Sequence, residues 1–277
     1  MADIGKYNSL KINREVDFGA YLDGENLGEI LMPRKYLPVN YKIGDSVQVF
    51  VYTDTEDRLI ATTETPAAQV NECAFLKVVS VTTVGAFLDW GLIKDLLVPY
   101  QQQKMKMQEN RWYTVFIYLD KMTNRVVASA KIEDFLDNVP PVFEPNQEVE
   151  LLVYEQTELG YKSVINNLHT GMIYHNEIFK PLRIGQKLPG FIKKVRDDEK
   201  IDLALQKQGY EHVIDEFSQI ILSALNKTGG FLPLTDKTTP ETIYLTLGLS
   251  KKNFKKSIGN LFKQRIIAIA DDGIRLL

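Results

Sequence analysis

Two clusters of cations in this chain have the residue types and spacing to neutralise phosphate. Lys193, Lys194, Arg196 and Lys200 fall within eight residues, and Lys251, Lys252, Lys255, Lys256 and Lys263 interleave with Phe254, Ile258, Leu261 and Phe262. Lysine neutralises a phosphate but reads few base edges, so such clusters suit contact with the backbone of a polyanion. Lys162, Tyr174 and His175 accompany the first cluster. Earlier in the chain the same mixture of ring and cation recurs as Phe18, Tyr21 and Tyr52 with Arg58, and as Phe87 and Tyr118 with Arg125. Exposed rings stack on nucleobases. Taken singly, each ring is more plainly a packing residue and each charge run a solvated face.

Other chemistries find no support. His169 and His175 stand six apart with no cysteine and only Glu177 nearby, which fits no metal-site spacing. Asp197-Asp198-Glu199 reads as a solvated turn between two strands. No glycine-rich phosphate loop, nucleophile elbow or paired-carboxylate motif is present. The expectation is a chain with no catalytic residues, no metal, no cofactor and no small-molecule ligand.

The 277 residues carry a net charge of −3, unevenly distributed. Residues 1–64 hold 7 Lys/Arg against 11 Asp/Glu, whereas residues 208–277 hold 9 against 7. That drift directs a polyanion towards the C-terminal half. No run approaches the roughly 20 apolar residues of a membrane span. The single cysteine, Cys73, and an N-terminus without a charged-then-apolar pattern suit a reducing cytoplasm.

The elements that position these residues are repeats. Gly19, Gly85 and Gly160 are each followed 31 residues later by Phe50, Phe116 and Phe191, and 25 residues later by Gly44, Asn110 and Gly185. Each unit closes on a basic residue before an apolar run, at Arg58, Arg125 and Lys200. Apolar residues alternate with period two between turn residues, which is strand chemistry. About five short strands in some 60 residues bury their edges best in a small closed barrel. The repeated phenylalanine reads as barrel core. Segment 137–147, rich in proline, reads as a stiff linker.

From about residue 209 the period changes. Val213, Ile214, Phe217, Ile220, Ile221, Ala224 and Leu225 share one face of a helix over Tyr210–Asn226, which Gly229-Gly230 stops. Thr239-Pro240 starts a second helix and Ser250 caps a third, Lys251–Gln264, followed by two strands around an Asp-Gly turn. Three helices and a hairpin make a winged helix, with the third helix in the recognition position and Asn253, Asn260 and Gln264 as its few base-reading side chains.

The repeat resembles the S1-type RNA-binding domain, an OB-fold. The residues that carry the likeness are Gly19-Ala-Tyr-Leu, Gly85-Ala-Phe-Leu, Gly171-Met-Ile-Tyr-His-Asn-Glu, Gly44-Asp45 and the basic residues Arg58, Arg125 and Lys200. Three such barrels before a winged helix look like the conserved virulence factor B family of bacterial RNA-binding proteins. Departures are the Asn110-Arg111 pair in place of Gly-Asp, and Gly160-Tyr161-Lys162, which shifts the ring by one residue and so to the other strand face.

The expected fold is mainly β with an α+β tail: S1-type OB barrels over residues 1–64, 65–137 and 146–208, then a winged helix over 209–277. The resemblance implies a non-enzymatic protein that binds single-stranded RNA. Charge places the binding chiefly on the third barrel and the winged helix, through Lys162, Tyr174, His175, Lys193, Lys194, Arg196, Lys200, Lys251, Lys252, Lys255 and Lys256, with Tyr21 and Phe87 as auxiliaries. Duplex DNA read by the winged helix is the alternative partner.

Overall fold

The computed structural model describes residues 1–178, 181–207, 216–263 and 265–277. The chain divides into two compact units, Met1–Leu205 and Gln206–Leu277. None of the described helices is long and apolar enough to cross a membrane.

The first unit contains three five-stranded barrels. The first comprises β1 (Tyr7–Val16), β2 (Gly19–Asp23), β3 (Glu29–Pro33), β4 (Ser46–Thr53) and β5 (Leu59–Thr62). They close in the order β1–β2–β3–β5–β4. The second has β6 (Glu72–Val81), β7 (Gly85–Asp89), β8 (Leu96–Pro99), β9 (Trp112–Leu119) and β10 (Val126–Ser129). It follows the same path, β10–β9–β6–β7–β8, with β8 and β10 side by side. The third, β11 (Glu148–Thr157), β12 (Gly160–Ile165), β13 (His169–Tyr174), β14 (Lys187–Val195) and β15 (Ile201–Ala204), closes like the first. The long opening strand bulges at one equivalent place in each copy, Ile12/Arg14, Val78/Ser80 and Val153/Glu155. The bulge bends one strand so that it can pair with two neighbours round a tight curve.

Two positions of the repeat are explained by backbone conformation. Gly44, Asn110 and Gly185 all hold positive φ, at 95°, 63° and 85°. Asparagine tolerates that conformation best after glycine, so the departure in the second copy leaves its turn intact. Gly19, Gly85 and Gly160 mark the closest approach of the second strand to the third: a Cβ there would lie 2.1, 2.2 and 2.0 Å from the carbonyl oxygens of Met32, Val98 and Ile173.

The repeated phenylalanine is not barrel core. Val49 and Val51 fill the first barrel, and strand alternation turns Phe50 between them to the outside. There it is fully buried, edge-on to Trp90 of the second barrel at 5.7 Å. Phe116 likewise leaves its own barrel to join Ile132, Leu152 and Val164 at the junction with the third, stacked on Phe135 at 4.7 Å. Phe191 is half-buried beside the core residue Ile192. In the first two copies the phenylalanine therefore marks a docking face for the barrel that follows. Polar clamps reinforce both junctions. Arg125 pairs with Asp57, Lys94 Nζ donates to the Asp54 carbonyl at 2.6 Å, and the Cys73 amide donates to Asn167 Oδ1 at 2.9 Å. Burial pushes the Cys73 thiol up to about 12. Segment 137–147 is a strap rather than a spacer: Asp137 accepts from both the amide and the hydroxyl of Thr170, and Phe143 meets His169 edge-on.

The second unit has α1 (Glu216–Lys227), β16 (Phe231–Leu232), α2 (Pro240–Leu247), α3 (Lys251–Lys263), β17 (Ile267–Ala270) and β18 (Gly273–Leu276), with a sheet of order β16–β18–β17. Val213, Ile214 and Gln264 lie outside the described residues. Ile221, Leu225, Ile243, Phe254, Ile258, Leu261 and Ile274 form the core. Thr239 caps α2 ahead of Pro240, Gly248 ends it with φ of 69°, and Ser250 Oγ accepts from the Asn253 amide at 3.2 Å. Two details differ from the sequence reading. The hairpin turn is Asp271-Asp272, with Gly273 opening β18 opposite Ala270, where a Cβ would fall 2.2 Å from the Leu232 carbonyl oxygen. That neighbour belongs to β16, a two-residue strand too short to leave a sequence pattern.

Candidate nucleic-acid interface

In each barrel the second residue after the ruler glycine faces outward. Tyr21, Phe87 and Lys162 occupy this place, and Tyr161 turns inward against the third core, as the one-residue shift requires. Tyr21 is half-buried with the Arg14 guanidinium 4.0 Å above its ring, and Arg14 is held in turn by Glu29 at 2.8 Å. Phe18 stands in the adjoining turn, 58% exposed. Phe87 is half-buried between Ser80 and Leu97 on the flanking strands.

The other candidates of the first two barrels are engaged internally. Tyr52 is only 4% exposed, packed with Phe50 and Trp90, and burial pushes its hydroxyl up to about 12. It is no stacking platform. Tyr118 leans on Phe135 at 4.9 Å. Arg58 is clamped by Asp54 and Glu56, and Arg125 by Asp57.

On the third barrel the structure brings Lys162, Tyr174, Arg196 and Lys194 onto one outer surface, across β12, β13, β15 and β14. The register runs Glu155, Lys162, Met172, Asp202, Lys194. Most of the cations are matched by carboxylates. Lys162 meets Glu155 at 3.3 Å, Lys193 meets Glu177 at 2.6 Å and Lys200 meets Asp198 at 2.8 Å. Arg196 bridges Asp202 at 2.8 Å and the Tyr174 hydroxyl at 2.6 Å. Its hydrogen bond to Asp202 raises the guanidinium pKa further. Partial burial opposes ionisation of Glu155, but its hydrogen bond and attraction to Lys162, with Lys104 adding to them, hold it below the ordinary carboxylate value. Lys194 is exposed and has no ion pair among the described residues; His175 is exposed in a single 3-10 turn. The Lys162 and Lys200 pairs are solvent-exposed and worth about 0–1 kcal/mol, so an incoming phosphate can compete for those two cations. Their field at a distance is nonetheless largely cancelled.

The winged helix differs. α3 carries five lysines and no acidic residue. Phe254, Ser257, Ile258 and Leu261 are buried, which turns Lys252, Lys255, Lys256 and Lys263 to the exposed side. Lys255 lies 3.7 Å from Asp236. Lys251, Asn253 and Asn260 are half-buried, leaving little for base readout. Gly259 sits among the exposed lysines at helical spacing, with open space where its Cβ would be. A glycine there destabilises the helix and permits close approach of another backbone. Gly259→Ala is expected to stabilise α3 by about 0.5–1 kcal/mol, slowing its amide hydrogen exchange about two- to fivefold.

Three contributors escaped the sequence reading. Arg14 and Lys104 (which joins Glu133 and Glu155 across the second junction) belong to no cationic run. Trp112 is 54% exposed on β9 and stacks on Phe75 of β6. Comparing copies would have found that pair: ten residues before the ruler glycine stand Ser9, Phe75 and Glu150, and 27 after it Ser46, Trp112 and Lys187. Only the second copy is aromatic at both.

The domain families that match the chain accord with this architecture. The S1 domain family matches residues 4–64 and 73–131, and the CvfB-like winged helix domain matches residues 219–276. The third barrel lies outside those matches and folds on the same path. YitL of Bacillus subtilis is 28% identical over 94% of this chain and 89% of its own. Conserved virulence factor B of Staphylococcus aureus strain USA300 is 26% identical over 85% of this chain and 80% of its own. A crystal structure of a multidomain protein with nucleic acid binding domains from Streptococcus pneumoniae aligns over 99% of this chain and 98% of that one, at 25% identity and a TM-score of 0.42.

Proposed function

The chain is an S1-domain protein with a CvfB-like winged helix, and from that premise we propose that it binds single-stranded RNA without acting as an enzyme, in post-transcriptional control of gene expression in the cytoplasm. S1 and winged-helix domains are nucleic-acid-binding modules. The observation that carries the reading is α3 itself, a helix with five lysines and no acidic residue in a chain that is otherwise acidic. The third barrel supplies the second contact through Lys194, His175 and the Tyr174–Arg196 pair, its other cations becoming available as phosphate displaces their carboxylates. The winged helix thus provides most of the attraction and the barrel most of the stacking.

Changing Lys252 and Lys256 together to glutamate is expected to weaken binding of a single-stranded RNA and to flatten its salt dependence. The slope of log K against log salt should fall by about 0.7 for each phosphate that is no longer neutralised. An unchanged slope removes α3 from the interface. Duplex DNA is the competing partner because α3 occupies the recognition position, but its half-buried asparagines favour backbone contact over base readout. Competition between single-stranded RNA and duplex DNA of equal length separates the two: a preference for the duplex rejects the RNA reading.

A further inference from the structure

We propose that Trp112 and Phe75 form a stacking platform for a base of a single-stranded nucleic acid, at the junction of the second and third barrels and distinct from the outward positions Tyr21, Phe87 and Lys162. The inference rests on the nucleic-acid reading above. The two rings are nearly parallel, 24° apart, with centroids at 5.5 Å. They line an open cleft of about 670 Å³ whose other wall is the segment from Pro181 to Gln186, within the roughly 300–1,000 Å³ of small-ligand clefts.

The outer face of β6 and β9 runs as one stripe. Cys73 and Phe116 lie under the third barrel, Phe75 and Thr114 follow at the margin, and Lys77 and Trp112 stand opposite one another beyond it. An aromatic needed only for the junction would end where the cover ends. Trp112 lies past that margin, with more than half its surface in solvent. Gly185 explains how the wall closes on the platform: its φ is +85° and a Cβ would fall 2.0 Å from the Phe75 ring. The loop therefore lies on one edge of Phe75 and leaves Trp112 free to continue the stack.

The charges favour a nucleic acid as the occupant. Lys77 beside Trp112, and Arg183 in the opposite wall, have no ion pair among the described residues. Asp89, opposite Lys77 on β7, accepts instead from the Gly91 amide. Most third-barrel cations carry a carboxylate; these two do not. Two unneutralised cations on either side of an exposed indole complement a base flanked by its phosphates, since stacking supplies base affinity without sequence preference and the cations hold the backbone.

The chain has two tryptophans, and Trp90 is buried out of reach of an added strand, so quenching of the emission by that strand reports on Trp112. The test titrates the full chain with an oligoadenylate RNA and measures both tryptophan quenching and affinity. Quenching is expected in the wild type, with a loss of about 5- to 150-fold in affinity for Trp112→Ala, the span of one stacked base. Trp112→Phe should retain most of the affinity, and circular dichroism should show both variants folded. If Trp112→Ala binds as the wild type does while the Lys252→Glu, Lys256→Glu double variant does not, the platform is wrong and the nucleic-acid reading stands. If the wild type binds no single strand, both fall. A Trp112→Ala loss without quenching in the wild type assigns the effect to structure and overturns the platform.

Discussion

Gly160→Ala should destabilise the third barrel by about 2–6 kcal/mol, the sum expected of backbone strain and overpacking. The added Cβ would sit 2.0 Å from the Ile173 carbonyl oxygen and 2.9 Å from the adjacent carbonyl carbon and the Tyr174 Cα. All three are backbone atoms, so no side chain can swing away. Relief requires β12 and β13 to separate where Gly160 pairs with Tyr174, which displaces Tyr174 and with it the Arg196 contact. Hydrogen exchange across β12 and β13 should rise steeply, with weaker RNA affinity to follow. A variant with wild-type exchange there would show that the strands have more latitude than this approach implies. Gly28, where nothing lies within 4 Å of the Cβ position, is the steric control for such a change, although its φ of 74° adds strain of its own.

Phe50→Ala is expected to cost about 3–5 kcal/mol, as for a fully buried phenylalanine, whereas Phe191→Ala should cost about 1 kcal/mol in keeping with its partial burial. The contrast discriminates between the two roles the residue could have. Three equal core residues would give three similar losses. A docking residue gives a loss that depends on what covers it: Trp90 over Phe50, and Leu152 with Val164 around Phe116. Urea unfolding measures the size of each loss, and hydrogen exchange shows where it falls. For Phe50→Ala the exchange should rise first in the segment around Trp90, with the interior of the first barrel, β4 included, protected to a later stage. Simultaneous opening of Leu22, Val49 and Val51 would restore the core assignment.

The barrels were legible because period-two alternation between turn residues leaves few alternatives, and because glycine, asparagine and phenylalanine recur at set distances. The lysine face of α3 was legible for a related reason: four buried residues at helical spacing leave one side on which the charges must stand. What one copy shares with the next shows that a position is constrained, not by what. An outward phenylalanine beneath a neighbouring barrel and an inward one look alike in the repeat, and the flanking Val49 and Val51 were the better guide. The neutralisation of the third-barrel cations was hidden for a different reason. Some partners are local, as Asp198 is to Lys200, but Glu177 reaches Lys193 from another segment and Glu155 meets Lys162 across strands. Proximity in a barrel is set by register, and register is not written in a charge count.

The docking face has an asymmetry that reaches beyond stability. Each junction offers the same knob, a phenylalanine on the fourth strand, but the sockets differ: Trp90 with Ala68 and Val70 at the first, Leu152 and Val164 at the second. Joints with one kind of plug and two kinds of receptacle impose a direction and an address. A chain with its second and third barrels transposed would present every plug to the wrong receptacle, and its modules would fold without docking on one another. The linear order of the copies is thus part of the information that the repeats carry, held by the receptacles in which they differ.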